Sequence, residues 1–332
     1  MLHAIRLLLI VCAASLGPRA WAQDRLAFGL DWKAEAEYGG YYQAVATGLY
    51  AKRGLEVLIR QGGPQVNQTQ LLLAGRLDVS ISSNGYLALN AVQENLPLTA
   101  IAAMFQRDPA VLLAHPGQGN DSFEQLRGKP VMLGAESRAG WWNFLRARFG
   151  YTDQQVRPYT FNLAPFLSNP QAVQQGYVTS EPFAIKQAAG FDPVVLMLAD
   201  AGFNGYGSLI VTGPKLLADK PDVLQRFLDA SIEGWYSYLY TDPAPANALM
   251  KRDNPEMTDA LLAFGRQALK DRGIVDSGDT LVHGIGAMDA TRWQAFFQQM
   301  AQQGLYPPTL DVTRAYTTQF VNKGTGLSMR PK

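Results

Sequence analysis

The chain has one cysteine, Cys12, and three histidines among its 332 residues. Cys12 falls in residues 1–22, which read as a secretory leader. His3 and Arg6 precede an apolar run from Leu7 to Leu16, and Ala20-Trp21-Ala22 offers a small-x-small cleavage site. Cleavage after Ala22 leaves no thiol, which excludes a disulfide framework and a Cys-ligated metal or redox centre. The leader's apolar run is too short to span a bilayer, and no later run is long enough, so stable membrane insertion is not expected. Neither sign of charge dominates: the formal net charge is +1, and −1 once Arg6 and Arg19 leave with the leader. Without a basic block there is no electrostatic footprint for nucleic acid or anionic membranes. Only His115 and His283 would remain, each placed as a surface or structural residue. A Ser/His/Asp triad or a zinc site therefore lacks its histidines. A periplasmic monomer is expected.

What is present is a repeated strand and helix grammar. Leu26–Leu30, Leu55–Ile59, Leu77–Ile81 and Leu98–Phe105 read as strands, with helices at Tyr41–Tyr50, Val66–Ala74 and Gly85–Gln93 between them. Such alternation implies right-handed βαβ crossovers and a mostly parallel sheet. The pattern restarts after Gln106-Arg107-Asp108-Pro109. Strands are read at Val111–Ala114, Val131–Gly134, Tyr177–Thr179 and Val194–Leu198, an extended stretch at 156–161, and helices at Trp141–Phe149, around 165–174 and from Glu181 to Ala188. The glycines of Asp200–Gly207 suit a return crossing. Ser208–Thr212 is a further strand, and from Pro221 the pattern is helical. About 310 mature residues suggest two domains. We assign residues 23–106 and 206–332 to a discontinuous first lobe and 107–205 to a second lobe inserted in it.

The loop after the first strand draws the most attention. Asp31-Trp32-Lys33-Ala34-Glu35-Ala36-Glu37-Tyr38 leads through Gly39 and Gly40 to Tyr41 and Tyr42, and strand carboxyl ends are where open α/β sheets place ligands. Trp32, Tyr38 and Tyr41 are candidate binding residues, with Tyr42 as readily a core anchor. Ser82, Ser83 and Asn84 follow the third strand and either bond a ligand or cap the next helix. In the second half, Ser137 and Arg138 precede a helix start crowded by Trp141 and Trp142. Tyr177 and Glu181 flank another strand end, where Glu181 also suits a helix N-terminus. Phe203, Asn204 and Tyr206 lie in the return crossing.

Several of these stretches resemble the NMT1/THI5-like substrate-binding proteins: Leu30-Asp31-Trp32 with Gly40 and Tyr42, Gly48-Leu49-Tyr50, Gly54-Leu55-Glu56-Val57, Gly75-Arg76-Leu77-Asp78-Val79, Leu126-Arg127-Gly128-Lys129-Pro130-Val131, and Gly176 to Pro182. The resemblance runs from about Leu26 to Trp293. It implies an α/β, two-lobed periplasmic-binding-protein fold of type II, closing like a clamshell about two hinge crossings. It also implies delivery of a small molecule to the permease subunits of an ABC importer.

Among ligands that such proteins take, a thiamine-precursor pyrimidine fits these residues best. Trp32 and Tyr38 would supply aromatic faces and Glu181 would accept from an amino group or protonated ring nitrogen. Ser82 or Asn204 would trim specificity. A sulfonate or other small anion at Ser137 and Arg138, or a riboflavin-type heterocycle, are the alternatives. The eukaryotic pyrimidine synthases of the same family are the competing class. Their cofactor lysine falls at Ser82, their consumed histidine at Tyr86 and their cysteine-rich stretch at Gly202–Tyr206, so no enzyme activity and no cofactor are expected.

Overall fold

The computed structural model describes residues 23–63, 66–159 and 161–331. The expected leader, residues 1–22, lies outside them. Ten strands form two five-stranded sheets. The first has the order β2-β1-β3-β10-β4, built from β1 (Asp24–Gly29), β2 (Leu55–Arg60), β3 (Val79–Asn84), β4 (Thr99–Phe105) and β10 (Gly207–Thr212). The second has the order β7-β6-β8-β5-β9, from β5 (Ala110–Ala114), β6 (Val131–Leu133), β7 (Val156–Pro158), β8 (Val173–Tyr177) and β9 (Val194–Met197). Helices flank both sheets, giving the two-lobed α/β architecture.

Each sheet is mixed rather than mostly parallel. β1 pairs in parallel with β2 and β3, but β10 runs antiparallel between β3 and β4. Likewise β6 is parallel to β7 and β8, while β5 is antiparallel to β8 and β9. In both lobes the reversed strand is the first one after a crossing. A strand entering from the other lobe has no helix returning it to the sheet's starting edge, so the parallel rule for βαβ units does not bind it.

Helix Pro221–Tyr240 packs against helix Gly39–Ala46 and anchors the first lobe. Its rings meet those of β1 and the first helix. Phe28 lies edge-on to Tyr41 at 4.8 Å and to Phe227 at 5.2 Å, and Tyr41 meets Trp235 at 5.7 Å. Each of these side chains is fully buried, worth about 1.5–3 kcal/mol apiece in apolar burial. Gly39 and Gly40 serve this contact rather than a turn. Gly39 has helical φ of −53°, and a Cβ on either glycine would run into the Tyr238 or Trp235 ring.

The helix expected around 165–174 is shorter, covering Ala164–Leu167. Asn169 accepts from Gln171 N at 3.0 Å beside Pro170, a local turn that ends the helix and frees Val173 to start β8.

Candidate functional site

The loop leaving β1 is held from behind. Gln61 accepts from Ala34 N at 2.7 Å and donates to Asp253 O at 2.9 Å, while Asn254 donates to Ala34 O at 3.0 Å. Gly62 lies flush on the backbone of Leu30 and Asp31, where any side chain would collide. So anchored, the loop presents Asp31, Trp32, Glu35, Glu37 and Tyr38 from a fixed frame. Tyr38 donates its hydroxyl to Asp31 Oδ1 at 2.7 Å, and Ser83, at the end of β3, lies 2.5 Å from Asp31 Oδ2.

The second lobe meets this face directly. Glu136, in the short helix Ala135–Ala139, brings Oε1 to 2.5 Å from Ser83 Oγ, although much of its side chain stays open to solvent. Thr179 donates its hydroxyl to Glu37 Oε1. Phe161 stands 4.4 Å from Trp32 between ring centroids, tilted 44°, and 4.7 Å from Tyr159. Its φ of +59° is rare for a bulky residue, and its side chain is 40% exposed. Strained backbone of this sort accumulates where a side chain must be aimed. Glu181 opens helix Glu181–Ala189, and its Oε2 accepts from Tyr177 N at 2.7 Å and Ser180 Oγ at 2.9 Å.

Six carboxyl groups therefore converge where the lobes meet: Asp31, Glu35, Glu37, Asp108, Glu136 and Glu181. Among the described residues none of them makes a salt bridge. Burial pushes all six upward in pKa. Glu37 rises to about 7, with the Thr179 hydroxyl opposing the rise. Asp108 rises to about 7 from burial and then the Asp31 charge, with Ala110 N opposing. Glu136, although exposed overall, rises to about 7 through desolvation against the first lobe and the facing Asp31, with the Ser83 hydroxyl opposing. Glu35 is raised furthest from its ordinary range, by burial and the charges of Glu37 and Glu181. Asp31 and Glu181 are raised by burial against their hydrogen bonds. Tyr177, raised by burial and then by Asp31, Asp108 and Glu136, lies among them. Among the described residues no group of three or more His, Cys, Asp or Glu side chains is placed to hold a metal ion.

The profile of the NMT1/THI5 like family matches residues 35–246, more than half of the chain. The chain belongs to this family. It is similar to a riboflavin-binding protein, RibY, of Chloroflexus aurantiacus, at 25% identity over 311 residues covering 91% of this chain and 87% of that protein. It is also similar to a 4-amino-5-hydroxymethyl-2-methylpyrimidine phosphate synthase of Schizosaccharomyces pombe, at 22% identity, covering 62% of this chain and 63% of that protein. Among solved structures, the fold is that of the periplasmic aliphatic sulphonate binding protein SsuA of Escherichia coli, with a TM-score of 0.65 at 15% identity over 88% of this chain and 91% of that one.

Within this NMT1/THI5-like fold, Trp32, Ser83, Tyr177 and Glu181 come together at the junction of the lobes, and Tyr38 reaches it through its hydroxyl on Asp31 while its ring is buried in the core. Five other expected residues go elsewhere. Tyr41 is fully buried between Phe28 and Trp235, because a helix resting on the sheet turns that face inward. Ser82 follows the strand's alternation away from Ser83 and lines a separate recess with Asn67, Leu87 and Asn90. Trp141 is buried in the hydrophobic core, and neighbouring Trp142 is held by a 2.9 Å bond from its indole to Asp153. Ser137 is half-buried and makes no hydrogen bond to the cleft among the described residues, and Arg138 is exposed. Asn204 is exposed, and only its backbone oxygen is engaged, by Arg292 at 3.3 Å. Capping of the helix after β3 falls to Asn84, whose side chain accepts from Leu87 N at 3.3 Å, so Ser83 is free to face the cleft.

Sequence reasoning assigned no role to Asp31, Glu35, Glu37, Asp108, Glu136 or Phe161. The available signal was three acids within seven residues of a ring-bearing loop at a strand end.

Proposed function

We propose that this chain is the periplasmic solute-binding component of an ABC importer, closing its lobes over a small, planar, nitrogen-rich heteroaromatic ligand and passing it to permease subunits. A thiamine-precursor pyrimidine is the ligand that fits best. The observation that carries this reading is the meeting of Trp32 and Phe161 across the cleft beside Glu181, Glu35 and Glu37. Aromatic faces favour a flat ring by stacking and area burial, and carboxylates accept from an exocyclic amine or a protonated ring nitrogen. A group lacking such donors leaves the acids unpaired and is rejected. A carrier role rather than catalysis is supported by Ser82 and Tyr86 standing where the resemblance puts the synthase's lysine and histidine.

A riboflavin-type heterocycle is the second reading, favoured by the likeness to RibY across nearly the whole chain. A sulfonate is disfavoured by like charge, since six carboxyl groups line the junction and Arg138, the basic residue expected to hold an anion, is exposed.

Calorimetric titration of the mature protein with 4-amino-5-hydroxymethyl-2-methylpyrimidine, riboflavin and an alkanesulfonate separates these. Saturable binding of the pyrimidine supports the proposal. Binding of riboflavin alone selects the second reading, and binding of the sulfonate alone overturns both.

A further inference from the structure

Ser83 faces two carboxyl groups with one proton to give. Its Oγ lies 2.5 Å from Asp31 Oδ2 in its own lobe and 2.5 Å from Glu136 Oε1 in the other. A serine hydroxyl donates once, and an ionised carboxylate cannot donate at all. The second short contact is a hydrogen bond only when one of the two carboxyl groups is protonated and donates to Oγ. With both ionised, a lone pair faces a lone pair and two like charges face each other across the junction.

A second observation points the same way from a different pair of elements. Glu37 is only 4% exposed, its Oε1 is engaged across the cleft by Thr179, and its Oε2 has no hydrogen-bond partner. Asp108, at 1% exposure in the crossing segment, likewise leaves Oδ2 without one. Buried carboxylates are tolerated when they are paired, and here the pairing charge does not come from the protein. The titratable groups that face one another are Asp31, Glu35, Glu37 and Tyr38 from the first lobe, Asp108 from the crossing, and Glu136, Tyr177 and Glu181 from the second. The cations nearest in sequence are engaged outside the cleft or exposed. Lys33 pairs with Glu256 at 2.9 Å, Arg107 pairs with Asp200, and Arg138 is exposed.

We infer that the cleft is a cation site: its ligand carries positive charge, and with no ligand held the lobes close by sharing a proton among Asp31, Ser83 and Glu136, so ligand and proton compete. This rests on the ligand-binding reading of the cleft and adds the charge class of the ligand. The upward shift of Glu136, from burial and from Asp31, has the sign needed to keep that proton in place through mildly acidic pH.

Two measurements on the mature protein test it. The first uses small-angle X-ray scattering without ligand at pH 5.5 and 8.5. The wild type is expected to be compact at the lower pH and to expand at the higher one, with circular dichroism unchanged. Glu136→Gln, which carries no charge and can donate to Ser83 at either pH, is expected to stay compact throughout. A wild type with the same radius of gyration at both values, or a Glu136→Gln protein that expands as the wild type does, overturns proton-linked closure.

The second measurement compares 1-methylnicotinamide, nicotinamide and nicotinate, which share a ring and carry charges of +1, 0 and −1 at pH 8. Affinity is expected to fall in that order, at least tenfold between the first two, and the advantage of the cation is expected to shrink at pH 5.5. Equal affinities, or no binding of the cation, overturn the charge assignment. Failure of the pyrimidine to bind, with the charge order intact, counts against the pyrimidine alone.

Discussion

Thr179 of the second lobe donates its hydroxyl to Glu37 of the first, and both residues are buried at that contact. Burial holds Glu37 up at about 7 against an ordinary 4.5. A carboxyl raised in this way contributes most below its unfolded pKa, and the contribution is lost as pH rises through the folded value. Through that interval the change is of the order of 3 kcal/mol. We expect the melting temperature of the mature protein to fall between pH 5 and pH 8. Glu37→Gln should flatten that slope, which scanning calorimetry across the range would read directly. An unaltered slope would place the titration elsewhere.

Glu181 holds its own helix start and also faces the cleft, and the two duties separate on substitution. Gln keeps an oxygen for Tyr177 N and Ser180 Oγ, so Glu181→Gln should change stability by less than about 1 kcal/mol. Toward an aminopyrimidine it places a donor against a donor, and affinity should drop by roughly 2 kcal/mol. Titration calorimetry paired with thermal melting would show both. Unchanged affinity would leave Glu181 only its bond to the backbone.

Phe161 holds a left-handed backbone with a bulky side chain. Replacing it with Ala removes the ring from Trp32 but keeps the Cβ, and replacing it with Gly removes both. We expect Phe161→Gly to be more stable than Phe161→Ala by about 1 kcal/mol, and both to lose ligand affinity by a similar factor. Chemical denaturation curves for the two variants would show the ordering. Equal stabilities would mean that the backbone relaxes without cost.

Gly265 allows helix Asp259–Asp271 to sit between the lobes. A Cβ there would lie 2.7 Å from Ala36 Cβ and 2.9 Å from Thr179 O. Gly265→Ala should cost about 1–3 kcal/mol in stability and weaken binding of the proposed pyrimidine ligand at least tenfold, because the new methyl meets the second lobe only when the lobes approach. Scattering in the presence of saturating pyrimidine should show a larger radius of gyration than wild type. An equally compact liganded variant would argue against that contact.

Much of the fold was legible from alternation alone. The strands read at Leu55–Ile59 and Leu98–Phe105 are observed at Leu55–Arg60 and Thr99–Phe105, and helix Gly85–Gln93 falls where it was read, behind a cap that the structure assigns to Asn84. Strand sense after a crossing was not, since nothing in Ser208–Thr212 records the direction from which β10 enters. At the site, Trp32 and Tyr38 were readable because large rings in a loop need a partner surface. Asp31, Glu35 and Glu37 were not. Acids in a loop are ordinarily solvated, and only the approach of Glu136, Thr179 and Glu181, far along the chain in the second lobe, removes their water. Phe161 was hidden for another reason: a left-handed phenylalanine has no sequence signature.

The loop fastened by Gln61, Asn254 and Gly62 has an outcome for how such a protein changes its diet. One jaw is set and cannot be reshaped without disturbing the scaffold behind it. Variation in taste therefore has to arise in the opposing jaw, at Glu136, Tyr159, Phe161 and Tyr177. Libraries confined to those four positions should yield variants of altered ligand preference that still reach the folded state.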